Sequence, residues 1–204
     1  SERVGTRIAS VSCGMYLPAR LANGRSWTPE ESLPVVSAPD NSFLSRDFDP
    51  GYKGDVLSKK DGVELLQRGV ELLAEYQERL AAQDTYGLLV CLQALDAAGK
   101  DGTIRHVMSG VNPQGVHVHS FKAPSTEELD HDYLWRVHQE VPGKGEIVVF
   151  NRSHYEDVLI TRVHGWIDDR TAKRRFRQIN DFVALLVEEG TIILKFFLHI
   201  SKDE

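Results

Sequence analysis

The chain has 204 residues, 41% hydrophobic and 26% charged, with a formal net charge of −6. Such a profile belongs to a globular protein of one domain, or one domain and an appendage, large enough to bury a real core. The acidic balance argues against a general nucleic-acid or anionic-membrane binder, and no apolar stretch approaches a membrane span.

The N-terminus lacks the pattern of a secretory signal, and the two cysteines, Cys13 and Cys91, make no disulfide framework. A cytosolic protein is expected. Residues 1–55 carry Pro18, Pro29, Pro34, Pro39 and Pro50, which break any long helix. They read as an extension with short strands at best, around Arg7 to Tyr16, and the ordered domain is expected over 56–204. From Ser58 to Gln83, Leu66, Val70, Leu73, Tyr76 and Leu80 recur at helical spacing. Ser58 or Asp61 can cap the start of this helix, which is expected to pack on a sheet and carry no chemistry.

Gly87 to Ala94 is a continuous apolar run of the kind found in buried strands. Beyond it lie Leu95-Asp96-Ala97-Ala98-Gly99-Lys100-Asp101-Gly102-Thr103 and a segment able to start a helix. That order suits a phosphate-binding loop, in which backbone N–H groups and the positive end of a helix face an anion and a Lys follows the phosphoryl oxygens. The match to GxxxxGK[ST] is partial: Ala94 stands for the first Gly, and Asp101 for the magnesium-binding Ser or Thr. A plain strand-turn-helix with a surface Lys fits the same residues.

Val116 to Phe121 alternates as a strand, with His117 and His119 on one face; no carboxylate or Cys at a telling spacing makes them metal ligands, so they read as structural. Ser125-Thr126-Glu127-Glu128 is a capping box, and the helix it opens is expected to continue through Leu129, Leu134 and Val137 to about Val141. Ile147 to Phe150 is a second continuous apolar strand, opening onto Asn151-Arg152-Ser153-His154-Tyr155-Glu156-Asp157. Polar residues at the carboxyl end of a buried parallel strand are where open α/β folds place ligand chemistry. Arg152 suits a phosphate, and Glu156 or Asp157 suits Mg²⁺. Asp168 or Asp169 can cap a last helix with Phe176, Ile179, Val183 and Leu186 on its apolar face and a basic stretch from Arg170 to Arg177. Gly190 stops it, and Thr191 to Ile200 forms a further strand. Alternating strands and helices predict an α/β fold with a largely parallel sheet and helices on both faces.

These motifs, in series from Ala94 to Lys202, closely resemble the polyphosphate kinase 2 family: the Asp96-Ala97-Ala98-Gly99-Lys100-Asp101-Gly102-Thr103 loop, Gly110 to Gly115, Asp132 to Arg136, Phe150 to Val158, and Leu194 to Lys202. The resemblance covers about residues 46–204. It implies a three-layer P-loop kinase fold related to thymidylate kinase and reversible, Mg²⁺-dependent phosphoryl transfer between inorganic polyphosphate and nucleotides. By motif match, Asp96 and Glu156 take the metal-binding positions, with Asp96 also placed to position the acceptor phosphate. Ala97, Ala98, Gly99, Lys100, Asp101, Gly102, Thr103, Arg105 and Arg152 form the phosphate-binding set, and Asp96, Lys100 and Arg152 are the catalytic residues.

The Asn-Arg-Ser-His-Tyr-Glu-Asp form resembles the subgroup that phosphorylates both AMP and ADP, giving ADP and ATP, and homo-oligomers (dimers or tetramers) are the family's habit. Many members carry Asp where this chain has Asn151, a neutral and weaker metal ligand. The family also continues past the position of Glu204 into a basic lid and further helices, which are expected to be absent from this chain. An ATP-dependent nucleoside or nucleotide kinase on the same fold, and a non-catalytic polyphosphate-binding module, remain as alternatives.

Overall fold

The computed structural model of the protein describes residues 10–11, 58–94 and 99–198. Along them run β1 (Ser10–Val11), α1 (Lys59–Gln83), β2 (Gly87–Ala94), α2 (Lys100–Val107), β3 (Val116–His119), α3 (Thr126–Leu129), α4 (Trp135–His138), β4 (Ile147–Asn151), α5 (Glu156–Val163), α6 (Asp169–Glu188) and β5 (Thr191–Leu198). The strands form one sheet in the order β1-β5-β2-β4-β3. β2 pairs in parallel with β4 on one side and β5 on the other, β3 pairs in parallel with β4, and β1 lies antiparallel to β5. β1 falls inside the stretch where the extension was expected to hold a short strand; the rest of residues 1–55 lies outside the described residues.

The apolar runs become strands because both sheet faces are covered. Leu89, Cys91, Val148, Phe150 and Ile193 point to one side, where they pack with Phe182 and Leu186 of α6 and Val137 of α4. Val90, Leu92 and Val149 point to the other, against Ile104 of α2 and Met108. This is the three-layer α/β arrangement. β2 and β4 are adjacent, yet the helices that follow them cover opposite faces, and in such sheets the crevice at the carboxyl ends is where ligands bind.

Capping residues act as expected at three helix starts. The Ser58 hydroxyl accepts from the backbone N–H of Asp61, Asp168 accepts from that of Thr171 at 2.7 Å, and Ser125 and Glu128 make the reciprocal capping box. Gly190 follows α6 with φ +97°, a left-handed conformation that costs glycine little.

Two expectations change. The helix opened by Ser125 does not run on to Val141; it breaks into α3 and α4. Asp132 Oδ1 accepts from the Leu134 backbone N–H at 2.9 Å, and this local turn competes with continued helix across Asp130-His131-Asp132. The α1 stripe is only partly buried. Its contacts run to α2 and to the loops before β3 and β4: Gln77 Nε2 donates to the Asn112 carbonyl at 3.5 Å, and Ala81 lies against Gly145. Val63, Leu65, Leu66, Leu72 and Tyr76 stay exposed. The helix has 25 residues, roughly 37 Å, against roughly 26 Å for the eight of β2, and its contacts with Gly110, Asn112 and Gly145 come from Val70, Gln77 and Ala81, C-terminal to the exposed Val63, Leu65 and Leu66. None of the described helices is long and apolar enough to cross a membrane.

Candidate active site

The carboxyl ends of β2 and β4 lie side by side, in register from Leu88–Ile147 to Leu92–Asn151. At the end of β2 the chain enters the loop, of which Asp96, Ala97 and Ala98 lie outside the described residues. It re-emerges at Gly99, the N-cap of α2, with φ +79°. That left-handed residue lets the backbone turn sharply into the helix, whose first-turn N–H groups have no carbonyl one turn back. Lys100 folds across the same opening, its Nζ donating to the Ala94 carbonyl at 3.3 Å. Thr103, buried, anchors the turn by donating its hydroxyl to the Gly99 carbonyl at 3.1 Å. Arg105 stands in the last turn of α2, exposed, about 7.5 Å further along the axis from Lys100.

At the end of β4, Arg152 is exposed and takes φ +68°. Non-glycine residues rarely adopt this conformation, and where they do the surroundings hold them in it. The residues on either side of Arg152 are both tied to the β2 end. Asn151 Nδ2 donates to Asp101 Oδ1 at 2.5 Å, and the fully buried Ser153 accepts at Oγ from Gln93 Nε2 at 3.1 Å and from the Tyr155 N–H at 3.4 Å. The first bond gives Asn151 a physical account. An Asp at this position would set a second carboxylate against Asp101.

Glu156 opens α5, half-buried, with its N–H on the Ser153 carbonyl. The neighbouring Asp157, read as an equal candidate for Mg²⁺, faces Arg136, whose Nη2 lies 3.5 Å from its Oδ2. Burial holds the Asp157 carboxyl above its usual range against the pull of Arg136 and Arg175; at this separation the guanidinium does not offset desolvation. Arg136 also donates to the Lys122 carbonyl at 2.8 Å and lies over the Phe121 ring, so the pair is part of the fold's interior. Glu156 is therefore the better metal candidate of the two. Among the described residues no three His, Cys, Asp or Glu side chains converge as a preformed metal centre, but the oxygen donors at the two strand ends are of the hard type that Mg²⁺ takes.

Beneath this surface lies a layer that sequence reasoning did not assign. Lys195 of β5 sits opposite Cys91 in the sheet, with its Nζ 5.2 Å from the centre of the Tyr155 ring. Burial, with the Lys195 charge second, pushes the His154 imidazole down to about 3, and neither ring nitrogen has a hydrogen-bond partner. Burial pushes the Cys91 thiol up to about 12, with Lys195 opposing, and likewise raises the Tyr155 hydroxyl. At neutral pH Cys91 and His154 are thus uncharged. Gln93 and Lys195 carried one signal: each is polar within an otherwise apolar strand run, Gln93 near the end and Lys195 in the middle. His119, on edge strand β3, is 3.0 Å from Glu140 and stacks near Phe121, in line with a structural role. The basic stretch of α6 is mostly exposed, except that Arg175 turns inward to the Asp157 carbonyl at 2.6 Å and the Tyr133 ring.

The arrangement can hold a chain of phosphates. Helix amides and a Lys stand on one strand end, and an Arg and a carboxylate on the next. The family model described as Polyphosphate kinase 2 (PPK2) matches residues 56–204. An AMP/ADP-polyphosphate phosphotransferase from Meiothermus ruber is 52% identical over 170 residues, which make up 81% of this chain and 62% of that protein. An ADP-polyphosphate phosphotransferase from Rhodopseudomonas palustris is 48% identical, over 76% of this chain and 57% of that protein. The chain thus spans about three-fifths of the length of these relatives. The crystal structure of polyphosphate kinase 2 from Arthrobacter aurescens superposes with a TM-score of 0.75 at 47% identity, covering 80% of this chain and 59% of that one. With its strand order and these matches, the chain has the P-loop kinase fold and belongs to the polyphosphate kinase 2 family.

Proposed function

We propose that this protein transfers the terminal phosphoryl group of inorganic polyphosphate to AMP and ADP, forming ADP and ATP, and runs the reaction in reverse when ATP is in excess. The observation that carries the reading is the pairing of two strand ends. Lys100 at the start of α2 and Arg152 just after β4 follow two adjacent parallel strands, and the Asn151–Asp101 hydrogen bond joins the two segments. The names of relatives at 48–52% identity support the same chemistry and the same acceptors.

Phosphoryl transfer needs positioning and charge neutralisation more than covalent catalysis, and these are what the residues offer. Lys100 and the amides of the loop from Ala97 to Thr103 hold the transferring phosphoryl group, with Arg105 toward the outer phosphates of the chain. Arg152 neutralises charge that builds on the equatorial oxygens. Asp96 orients the acceptor phosphate. Mg²⁺ would be held by Asp96 and Glu156, supplying charge neutralisation of the phosphates. The working unit is a homo-oligomer.

The test is to incubate the full chain with Mg²⁺, long-chain polyphosphate and either AMP or ADP, and to follow ADP or ATP. Product that depends on polyphosphate and disappears with a chelator is expected. Turnover with ATP and a nucleoside, but none from polyphosphate, would overturn the proposal in favour of an ATP-dependent kinase. Polyphosphate binding without turnover would favour a binding module.

A further inference from the structure

We propose that Gln93 and Asp101 are positioning residues that fix Arg152 relative to Lys100, one from each side of the phosphate loop; this rests on the reading of Arg152 and Lys100 as phosphate-binding groups.

Gln93 is the last residue but one before the loop, and Asp101 is the second residue of the helix after it. Each grips a neighbour of Arg152: Gln93 holds Ser153 at 3.1 Å and Asp101 holds Asn151 at 2.5 Å. The two bonds approach from opposite faces of the sheet. Gln93 shares the face of Cys91, which packs toward α6, whereas Asp101 belongs to α2 on the other face. In a continuing strand, residues 151 and 153 would point the same way. The left-handed Arg152 breaks that alternation, so Asn151 reaches α2 while Ser153 reaches Gln93.

The grip connects to Lys100 as well. Ala94, the neighbour of Gln93, carries the carbonyl that accepts from Lys100 Nζ, and Asp101 follows Lys100 directly. Lys100 and Arg152 are thereby referred to one frame. The carboxylate of Asp101 makes a charge-assisted bond, stronger and more directional than a neutral one. Ser153, fully buried, has few other places to go. A positively charged side chain whose backbone is held in this way meets the phosphoryl group without first being ordered, which is the condition for an effect on the transition state.

The experiment is a pair of double-mutant cycles. Gln93→Leu and Asp101→Ala should each lower kcat about tenfold with the nucleotide KM little changed. Gln93→Glu, which can accept from the Ser153 hydroxyl, and Asp101→Asn, which can accept from Asn151, should each restore most of the rate. In an Arg152→Ala background the same two losses should shrink to less than about twofold, because nothing is left to position. Equal losses with and without Arg152, or no loss at all, would overturn the proposal. The same cycles read by calorimetric binding of tripolyphosphate keep the clamp separate from the reaction. Gln93→Leu should weaken binding only when Arg152 is present, and additive weakening would overturn the clamp even in a protein that turns nothing over. Failure of polyphosphate turnover in the unsubstituted chain would instead overturn the proposed function.

Discussion

The two strand ends that form the site are built in opposite ways. After β2, Gly99 and Asp101 are exposed, and what this end presents are the backbone N–H groups at the start of α2 and the Lys100 side chain. After β4, Ser153 and His154 are buried almost completely, and only Arg152 between them and Asn151 reaches solvent. One end offers a backbone cradle shaped by a glycine. The other offers a single cation on a turn rooted in the core. The difference teaches where each function is vulnerable: the β2 end through its chemistry, the β4 end through its foundations.

That contrast can be broken most severely at Arg136. The side chain is buried and supports Asp157 and the Lys122 carbonyl, so Arg136→Ala leaves a buried carboxylate and a carbonyl without a partner. A loss of about 3–5 kcal/mol in urea unfolding is expected, with phosphoryl transfer by the folded fraction close to normal. A drop in turnover without a drop in stability would show that the β4 end is not a foundation in this sense.

Lys100→Ala and Asp96→Asn probe the opposite end. Each should lower turnover by ~10²-fold or more, about 2.7 kcal/mol in the barrier, while the urea midpoint stays put. Near-normal rates in either variant would refute the roles given to them. Lys100 sits at the start of a helix whose anchor is Thr103, not Lys100 itself, which is why stability should survive.

The β4 end should also show itself in the pH dependence of stability. His154 is neutral in the fold to about pH 3 but takes up a proton near 6.5 when unfolded. Between those values the unfolded state binds the extra proton, so stability falls as pH falls from 6.5 toward 3. From pH 6.5 to 5 this one group accounts for roughly 2 kcal/mol. His154→Phe removes the contribution. Thermal melts should therefore show wild type losing stability to acid more steeply than the variant over that window, and parallel curves would contradict the assignment. Tyr155, whose ring lies 4.5 Å from the imidazole, is held above its usual range by burial, so its hydroxyl stays protonated throughout the window and does not mask the effect. The smallest effect is remote from both ends. Ser125→Ala removes one half of the α3 capping box and should cost about 1 kcal/mol with no change in turnover.

Much of the frame was legible because its signals are local. Continuous apolar runs at 87–94 and 147–150 mark strands covered on both faces, and Ser58, Ser125 and Asp168 announce helix starts through bonds to residues three positions away. The break between α3 and α4 was missed because a single Asp132 side-chain bond competes weakly against apolar periodicity that still looks helical. The exposure of Leu66 and Tyr76 was missed because spacing marks a face and not what covers it. In the candidate site, Lys100 and Arg152 were singled out by residue type at a strand end. The bonds that place them, Gln93 to Ser153 across 60 residues and Asn151 to Asp101 across 50, leave no periodic trace. Nor does the left-handed backbone at Arg152, where the residue type predicts the opposite.

The most direct test of the central claim follows the phosphorus itself. With polyphosphate labelled uniformly with ³²P and unlabelled AMP as acceptor, the ADP formed first should carry label at its β-phosphate alone, and Lys100→Ala should abolish it. Unlabelled ADP, or label that enters only after ATP is added, would contradict direct transfer from polyphosphate at this site.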